Sequence, residues 1–195
     1  MKVKLISYSK PTEEIADSGI DDAQELVAFC ARVSNPSNQL NTETSEKLIK
    51  YLINNAHWSP LEMVSACLEI ETTRDIAHQI VRHRSFSFQE FSQRYADPAE
   101  FGDQFVLREA RLQDTKNRQN SIDDFDPYEK QQFQLQLQQH FQQSMWLYNQ
   151  MILAGVAKEC AREVLPISTP TTLYMHGNLR SWLTYCDLRS GNGTQ

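Results

Sequence analysis

The spacing of apolar side chains predicts two strands in the first half of the chain. Apolar and polar residues alternate over residues 2–7, where Val3 and Leu5 share one face. The alternation is clearer over residues 64–70, which places Val64 and Ile70 on the same side. Successive side chains of a strand point to opposite faces, so each segment is expected to bury one face.

Apolar residues spaced three and four apart predict the helices. Asp21 and Asp22 offer an N-cap for the first helix. A run rich in glutamine, residues 131–143, imitates strand alternation, but its larger apolar residues recur at helical spacing, so we assign it to a long amphipathic helix. The predicted helices cover residues 23–33, 45–56, 73–84, 130–154 and 157–165, with a last helix that starts in the turn 168–172 and runs to about 188.

The remaining segments show neither the strand spacing nor the helix spacing of apolar residues. Residues 34–44 are rich in Ser, Asn and Pro and are expected to form a loop, and residues 85–95 are expected to be extended or looped. Residues 97–128 form a polar, variable excursion. Together these elements predict an α/β fold of the α+β type. In it a small, mainly antiparallel sheet is packed by several helices in a single domain, residues 1–195.

Composition excludes several classes of protein. The 195 residues are 40% hydrophobic and 23% charged, as in ordinary globular proteins, and no apolar run approaches the roughly 20 residues needed to span a bilayer. The four cysteines are widely spaced, which favours reduced thiols and a cytoplasmic location, in a bacterium or in an infected host cell. A net charge of −6 argues against general coating of nucleic acid.

One short region is basic nevertheless. Residues 74–94 contain four arginines against two acidic residues, and residues 82–95 combine arginine, serine, glutamate and aromatic side chains. Guanidinium groups bind phosphate through two parallel hydrogen bonds, and serine hydroxyls add donors. If residues 92–94 are extended, Ser92 and Arg94 share a face and form a phosphate pincer. The region therefore favours a specific anionic ligand.

The segment 82–95 resembles the signature of the flavin-dependent thymidylate synthases, Arg-His-Arg-x-x-Ser-x-Asn-Glu-x-Ser-x-Arg-Tyr. Gln89 stands where the signature has Asn. Further blocks at residues 31–34, 57–62, 161–166, 178–181 and 188–189 are similar to this family in the same order, most of all to members from large DNA viruses and phages. Eight residues match the signature: Arg82, His83, Arg84, Ser87, Glu90, Ser92, Arg94 and Tyr95.

The resemblance implies an activity. The family converts dUMP to dTMP, with methylenetetrahydrofolate as the carbon donor and NADPH-reduced FAD as the hydride source, and without a cysteine nucleophile. Arg189 matches the arginine that is thought to stabilise the ionised pyrimidine, so it is the expected catalytic residue. The dUMP ligands implied in the same way are Gln79, Arg82, Glu90, Phe91, Ser92, Gln93, Arg94, Arg162 and Arg189.

The FAD contacts implied by the resemblance form a second set, which shares Arg82 with the first. Thr184 departs from the family, where an amide is commoner. Family members are homotetramers with active sites shared between subunits, so both roles of Arg82 are compatible. The C-terminal segment after Arg189 is short relative to the family. The implied FAD contacts are Ser34, His57, Ser59, Arg82, His83, Arg84, Asn178, Arg180 and Thr184, and no metal is implied.

Three alternatives remain open from the residues alone. The basic cluster from Arg82 to Arg94 is also compatible with a nucleic-acid-binding module, although the acidic net charge weighs against it. A metal hydrolase would use His57, His78 and His83 with Glu62, but the i, i+5 spacing of His78 and His83 scatters their rings around a helix. A structural protein would give the dense polar cluster no role.

Overall fold

Strands and helices are interleaved along the chain in the computed structural model, which describes residues 1–98 and 106–191. The described strands are β1 (Lys2–Tyr8), β2 (Ser65–Thr73), β3 (Ser87–Glu90), β4 (Leu112–Gln113), β5 (Ser121–Ile122) and β6 (Pro170–Asn178). The described helices are α1 (Glu13–Ala16), α2 (Ala23–Ala31), α3 (Ser45–Asn54), α4 (Arg74–Ile80), α5 (Pro127–Leu153), α6 (Lys158–Ala161) and α7 (Leu179–Ser190).

The sheet that organises the fold has four strands in the order β1-β2-β6-β3, and every pairing in it is antiparallel. β4 and β5 form a separate two-stranded hairpin. The predicted mixture of helices with a small antiparallel sheet is therefore confirmed. β3, which carries part of the signature segment, lies at one edge of the sheet, where β6 is its only partner among the described strands.

One face of the sheet forms the main core. Leu173 and Met175 on β6 are completely buried, and Ile70 on β2 lies beside them. Residues of α4 and α7 cover this face, among them Ile80 and Trp182. Burying each large aliphatic side chain contributes about 1.5–3 kcal/mol relative to leaving it in water. The core thus joins the helix before the signature segment to the helix that carries Arg189.

The first strand forms as predicted, but its apolar face is not covered. Val3 lies opposite Ile70, and Leu5 lies opposite Leu68, so these side chains share the apolar face. Val3 is nevertheless 58% exposed and Leu5 is 53% exposed. The predicted face is confirmed, whereas its expected burial does not occur within one chain.

A second core cluster joins α2 and α3 to the short 3-10 turn Ser59–Glu62. Val27, Leu61 and Val64 are buried in it. The Asp22 carboxylate caps α2 by accepting a hydrogen bond from the Glu25 backbone N–H at 2.7 Å, as the sequence predicted. The predicted helices over residues 23–33 and 45–56 are confirmed to within two residues at each end.

The expected helix start at residues 168–172 is wrong, because residues Pro170–Asn178 form β6. Burial alternates along this strand, with Thr171, Leu173, Met175 and Gly177 buried between more exposed neighbours. The last helix begins only after Asn178, whose side chain accepts a hydrogen bond from the Ser181 backbone N–H at 2.8 Å. A strand that alternates in this way is buried on one face only.

Two further helix predictions are too long. The helix expected over residues 157–165 consists of α6 and a 3-10 turn, Arg162–Val164, which ends before Pro166. The helix expected to reach Arg84 ends at Ile80, so Arg82 to Arg84 lie in the turn that follows. Four of the residues expected to be extended or looped form β3.

The long helix predicted from the glutamine-rich run is confirmed as α5, and Asp126 caps it through the Glu129 backbone N–H at 2.9 Å. The expected excursion over residues 97–128 contains the β4–β5 hairpin, while residues 99–105 lie outside the described part. In residues 1–98 and 106–191, no helix has both the length and the apolar character that crossing a bilayer requires.

Candidate functional site

Arg189 is held in place by two contacts from the region around the end of α4. Its Nε donates a hydrogen bond to Nε2 of His83 at 3.0 Å. Its Nη2 donates to the backbone carbonyl of Gln79, also at 3.0 Å. The structure therefore brings together three of the predicted site residues, from positions that are far apart in the sequence.

His83 is neutral in this arrangement. A guanidinium has only donors, so the Nε2 atom that accepts from Arg189 carries no hydrogen and the ring proton lies on Nδ1. The ring meets the ring of Tyr185 edge-on, with centroids 4.7 Å apart. Burial, and to a lesser extent the charge of Arg189, hold the pKa of His83 below its usual value. Burial likewise raises the pKa of Tyr185.

Two other arginines of the signature point towards solvent. Arg82 and Arg84 are exposed in the turn after α4. Neither has an ion-pair partner within the described ranges. An exposed, unpaired guanidinium keeps its full capacity for phosphate oxygens.

Glu90 is fixed at the end of β3 by two residues that the sequence did not single out as ligands. The Thr171 hydroxyl donates to Glu90 Oε1 at 3.1 Å, and Arg74 Nη1 lies 3.7 Å from the same oxygen. Thr171 is buried, and the carboxylate is only 22% exposed. A hydrogen bond to a partly buried charged group stabilises by about 1.5–3 kcal/mol.

Two cavities lie in this part of the structure, one of them against the Glu90 carboxylate and the other against Arg74. One, of about 430 Å³, is lined by Arg74, Gln93, Arg162 and residues around Pro166. The other, of about 550 Å³, is lined by Glu90 itself together with residues of the signature segment and of β6. The Gln93 side chain is buried, and its Nε2 has no hydrogen-bond partner in the described structure. Arg162 and Gln93, both predicted as dUMP ligands, therefore share a cavity.

Residues 92–94 form a turn, so the condition for a pincer of Ser92 and Arg94 on one strand face is not met. The backbone N–H groups of Tyr95 and Ala96 both donate to the Ser92 carbonyl at 3.1 Å, which closes a turn. Arg94 extends towards α6, where its Nη2 lies 3.1 Å from the Glu159 carboxylate. The turn, rather than strand alternation, sets the relative positions of Ser92 and Arg94.

The predicted FAD contacts around the start of α7 are mostly engaged within the chain. Asn178 caps α7, so its Oδ1 already accepts a hydrogen bond within the chain. Arg180 pairs with Glu62, and the Thr184 hydroxyl donates to the Arg180 carbonyl at 3.0 Å. The helix start therefore packs against the 3-10 turn that carries Ser59.

The other predicted FAD contacts lie on separate exposed segments. Ser34 follows α2, while His57 and Ser59 lie between α3 and β2. The His57 ring meets Tyr51 edge-on at 5.9 Å. Among the described residues, no three His, Cys, Asp or Glu side chains form a group that could hold a metal ion.

Sequence reasoning missed Arg74, Thr171 and Tyr185 as parts of the site. Arg74 entered only as one charge of the basic region. The alternation of apolar residues over Pro170–Asn178 would have revealed β6 and, with it, the inward position of Thr171. The contact between Tyr185 and His83 joins α7 to the signature segment, and the local pattern carries no signal for it.

Comparison with known proteins identifies the family of this chain. The family model for thymidylate synthase complementing protein matches residues 15–195. The chain belongs to this family. A probable flavin-dependent thymidylate synthase of Paramecium bursaria Chlorella virus 1 is 49% identical over the whole chain and 87% of its own length. A flavin-dependent thymidylate synthase of Synechocystis sp. is 48% identical over the same shares.

A solved structure supports the family assignment. The UMP/dUMP methylase PolB from Streptomyces cacaoi, bound with 5-Br dUMP, has a TM-score of 0.78 and 25% identity, and the match covers 96% of this chain and 77% of that chain. The predicted family and the predicted enzyme class, a flavin-dependent thymidylate synthase, are confirmed by these relatives. The roles of individual residues, the co-substrates and the assembly remain predictions.

Proposed function

We propose that this member of the family methylates dUMP to dTMP, using methylenetetrahydrofolate as carbon donor, FAD as cofactor and NADPH as reductant. The full-length likeness to flavin-dependent thymidylate synthases supports the reaction. The observation that carries the proposal is the fixed position of Arg189 against the signature segment, at His83 and Gln79. We propose a cytoplasmic location for the enzyme.

Arg189 is the proposed catalytic residue, because the C5 atom of uracil is a poor nucleophile without activation. A guanidinium close to N3 and O4 of the base stabilises the negative charge that develops when the pyrimidine ring is activated. The contacts of Arg189 with His83 and Gln79 are to neutral acceptors, so neither contact neutralises its charge. Activation by charge removes the need for an enzyme cysteine.

Some of the other proposed dUMP ligands line the two cavities of this region. Arg162 and Gln93 line one of them, and Phe91 and Ser92 line the other. The guanidinium groups of Arg94 and Arg162 and the hydroxyl of Ser92 are donors of the kind that bind a phosphate. Glu90 accepts hydrogen bonds only, which suits a sugar hydroxyl. The complete proposed set is Gln79, Arg82, Glu90, Phe91, Ser92, Gln93, Arg94, Arg162 and Arg189.

The exposed side of the signature segment suits FAD. Arg82 and Arg84 present guanidinium groups to solvent without ion-pair partners among the described residues, as binding of a pyrophosphate requires. Bound FAD supplies the hydride of the reaction. The chain's own residues orient the cofactor and exclude water. The proposed set is Ser34, His57, Ser59, Arg82, His83, Arg84, Asn178, Arg180 and Thr184.

We infer a homotetramer with active sites shared between subunits, built from one-domain chains. Arg82 belongs to both proposed ligand sets. Together the sets contain residues from Ser34 to Thr184, and we expect one chain of this size to be too small to bind all the ligands alone. Val3 and Leu5 on β1 and Trp146 on α5 are large apolar side chains that one chain leaves exposed. Burying such side chains between subunits stabilises an assembly.

An absorbance spectrum with and without dUMP tests the proposal. We expect purified protein to carry or take up FAD, and dUMP to perturb the flavin bands because the base stacks against the isoalloxazine ring. Release of tritium from dUMP labelled at C5, dependent on methylenetetrahydrofolate and NADPH, measures turnover. A colourless protein that ignores added FAD contradicts the proposal.

A further inference from the structure

We propose that His83 is a positioning residue that orients the Arg189 guanidinium towards the nucleotide, and that it does so only as a neutral imidazole. This role rests on the proposed function of Arg189 and adds to it. His83 is expected among the FAD contacts, whereas the structure shows its Nε2 engaged by the side chain proposed to act on the pyrimidine.

Two hydrogen bonds from different parts of the guanidinium fix its plane. Nε bonds to His83 Nε2 and Nη2 bonds to the Gln79 carbonyl, both at 3.0 Å. A planar group anchored at two of its nitrogens can no longer rotate about its last side-chain torsions. His83 thus removes freedom that Arg189 would otherwise lose on binding substrate, which is a gain in preorganisation.

The position of His83 is itself fixed by backbone and ring contacts. The backbone N–H of His83 donates to the Ile80 carbonyl at 3.2 Å, and the backbone carbonyl of His83 accepts from the Phe86 N–H at 3.3 Å. The ring packs edge-on against Tyr185, one turn before Arg189 on α7. Backbone and ring contacts together place Nε2 where the arginine reaches it, so the acceptor is part of the fold.

Protonation of His83 removes the acceptor. An imidazolium carries N–H donors on both nitrogens, so it cannot accept from Arg189 and instead repels its positive charge. The titratable groups that contact the ring are Arg189 and Tyr185, both on α7, and Arg189 is the charged group that acts on its pKa. Partial burial and Arg189 both lower the pKa of His83, which keeps it neutral at neutral pH.

The consequence is an acid limb in nucleotide binding. As the pH falls through the lowered pKa of His83, the guanidinium loses its Nε anchor, and affinity for dUMP and kcat fall together. The limb lies below the ordinary histidine range, because the folded protein disfavours the charged ring. The lowered pKa of His83 also makes folding less favourable as the pH falls below about 6.5, because His83 binds a proton more readily in the unfolded chain than in the folded protein.

Two substitutions of His83 separate positioning from structure. His83→Gln places an amide oxygen near the Nε2 position as an acceptor that does not titrate. His83→Phe keeps a ring against Tyr185 but has no acceptor. We expect His83→Phe to weaken dUMP binding by about ten-fold, the typical worth of one hydrogen bond to a charged group. His83→Gln is expected to recover part of that loss and to abolish the acid limb of the pH profile.

The decisive experiment is a double-mutant cycle on the dissociation constant of dUMP, measured by the flavin spectrum of the FAD-loaded protein. We expect His83→Phe to have no further effect in an Arg189→Ala background, because it acts through that arginine. Flavin affinity and circular dichroism of each variant report separately on cofactor binding and folding. Each variant is compared at saturating FAD.

The outcomes are distinguishable. Independent effects of the two substitutions, or an acid limb that survives in His83→Gln, overturn the role of His83 while leaving the proposed function intact. Wild-type protein that binds FAD but does not respond to dUMP overturns the proposed function, and this role with it. Non-additive effects together with a lost acid limb support the role.

Discussion

At the scale of single residues, Glu90 shows how the fold fixes a charged side chain in place. Its carboxylate is already fixed by the buried Thr171 hydroxyl at 3.1 Å, with Arg74 3.7 Å away. The carboxylate would therefore need little reorganisation to accept a hydrogen bond from the sugar hydroxyl that we propose as its partner. Thr171 acts by orienting the Glu90 carboxylate. It lies on β6, the strand that pairs with β3, and it does not line the cavity that Glu90 lines with other residues of the signature segment.

The first prediction concerns that hydroxyl. Thr171→Val keeps the shape of the side chain and removes the donor to Glu90. We expect KM for dUMP to rise about five- to ten-fold with a smaller change in kcat, because one hydrogen bond to a charged group is lost. Steady-state kinetics of tritium release measures both constants.

Thr72→Val is the matched control. Thr72 lies opposite Thr171 in the register of β2 and β6, and its side chain has no described hydrogen bond to Glu90. Its kinetics should stay close to wild type. Equal effects of the two substitutions would show that a threonine in this sheet matters only for stability.

The second prediction concerns the cysteines. Cys30 and Cys67 are partly buried, Cys160 and Cys186 are exposed, and burial raises the pKa of the Cys30 thiol, which disfavours the thiolate. We expect the variant with all four cysteines replaced by serine to retain tritium release within about ten-fold of wild type, because the proposed mechanism activates the base through the charge of Arg189 and not through a thiolate. Complete loss in a folded, flavin-loaded variant would indicate a covalent thiol mechanism.

At the scale of elements, local sequence was enough where one period dominated. The helical spacing beneath the glutamines predicted α5, and the alternation over residues 64–70 predicted β2. β6 was missed because the residues before and at its start, Ser168 to Thr172, carry the hydroxyl and proline residues of a turn and of a helix cap. Pairing with β2 along nine residues decides its conformation, and no local propensity records that pairing.

The third prediction follows from the packing of β6. A Cβ atom on Gly177 would overlap the ring of Phe86, which stands in the main core. We expect Gly177→Ala to lower the free energy of unfolding by about 1–3 kcal/mol, the usual cost of overpacking. Urea denaturation followed by circular dichroism measures the change.

Combining Gly177→Ala with Phe86→Leu provides the control, since the smaller side chain makes room for the methyl group. The two substitutions should cost less together than the sum of their separate effects. Strict additivity would mean that Phe86 is not the obstacle.

At the scale of the whole molecule, the site depends on contacts that sequence patterns do not carry. His83 and Arg189 are 106 positions apart and meet only because α4 and α7 cover the same face of the sheet. The resemblance to a known family implied a set of candidate site residues, whose roles stay predictions. It did not predict which of them touch, and Arg94 lies with Glu159 on α6 rather than with Arg189.

The fourth prediction tests the shared active sites. If Arg94 and Arg189 act on one dUMP from different subunits, Arg94→Ala and Arg189→Ala are each nearly inactive. A mixed assembly regains activity because about a quarter of its sites carry both arginines after random exchange. The measurement is tritium release after co-refolding, with light scattering to establish the assembly.

Each variant refolded alone is the control and should stay inactive. A mixture without activity, from tetramers shown to contain both chains, would place the two arginines in the same subunit's site.

The Glu159 carboxylate pairs with the same Arg94 guanidinium that we propose as a ligand of the substrate phosphate. Both side chains are more than half exposed, so the pair stabilises by no more than about 1 kcal/mol. On the proposal that Arg94 binds the nucleotide phosphate, the phosphate replaces the Glu159 carboxylate as the counter-ion of the guanidinium, and the released carboxylate returns to water. Added salt screens both ion pairs, so this exchange is expected to depend less on ionic strength than phosphate binding by an unpaired arginine.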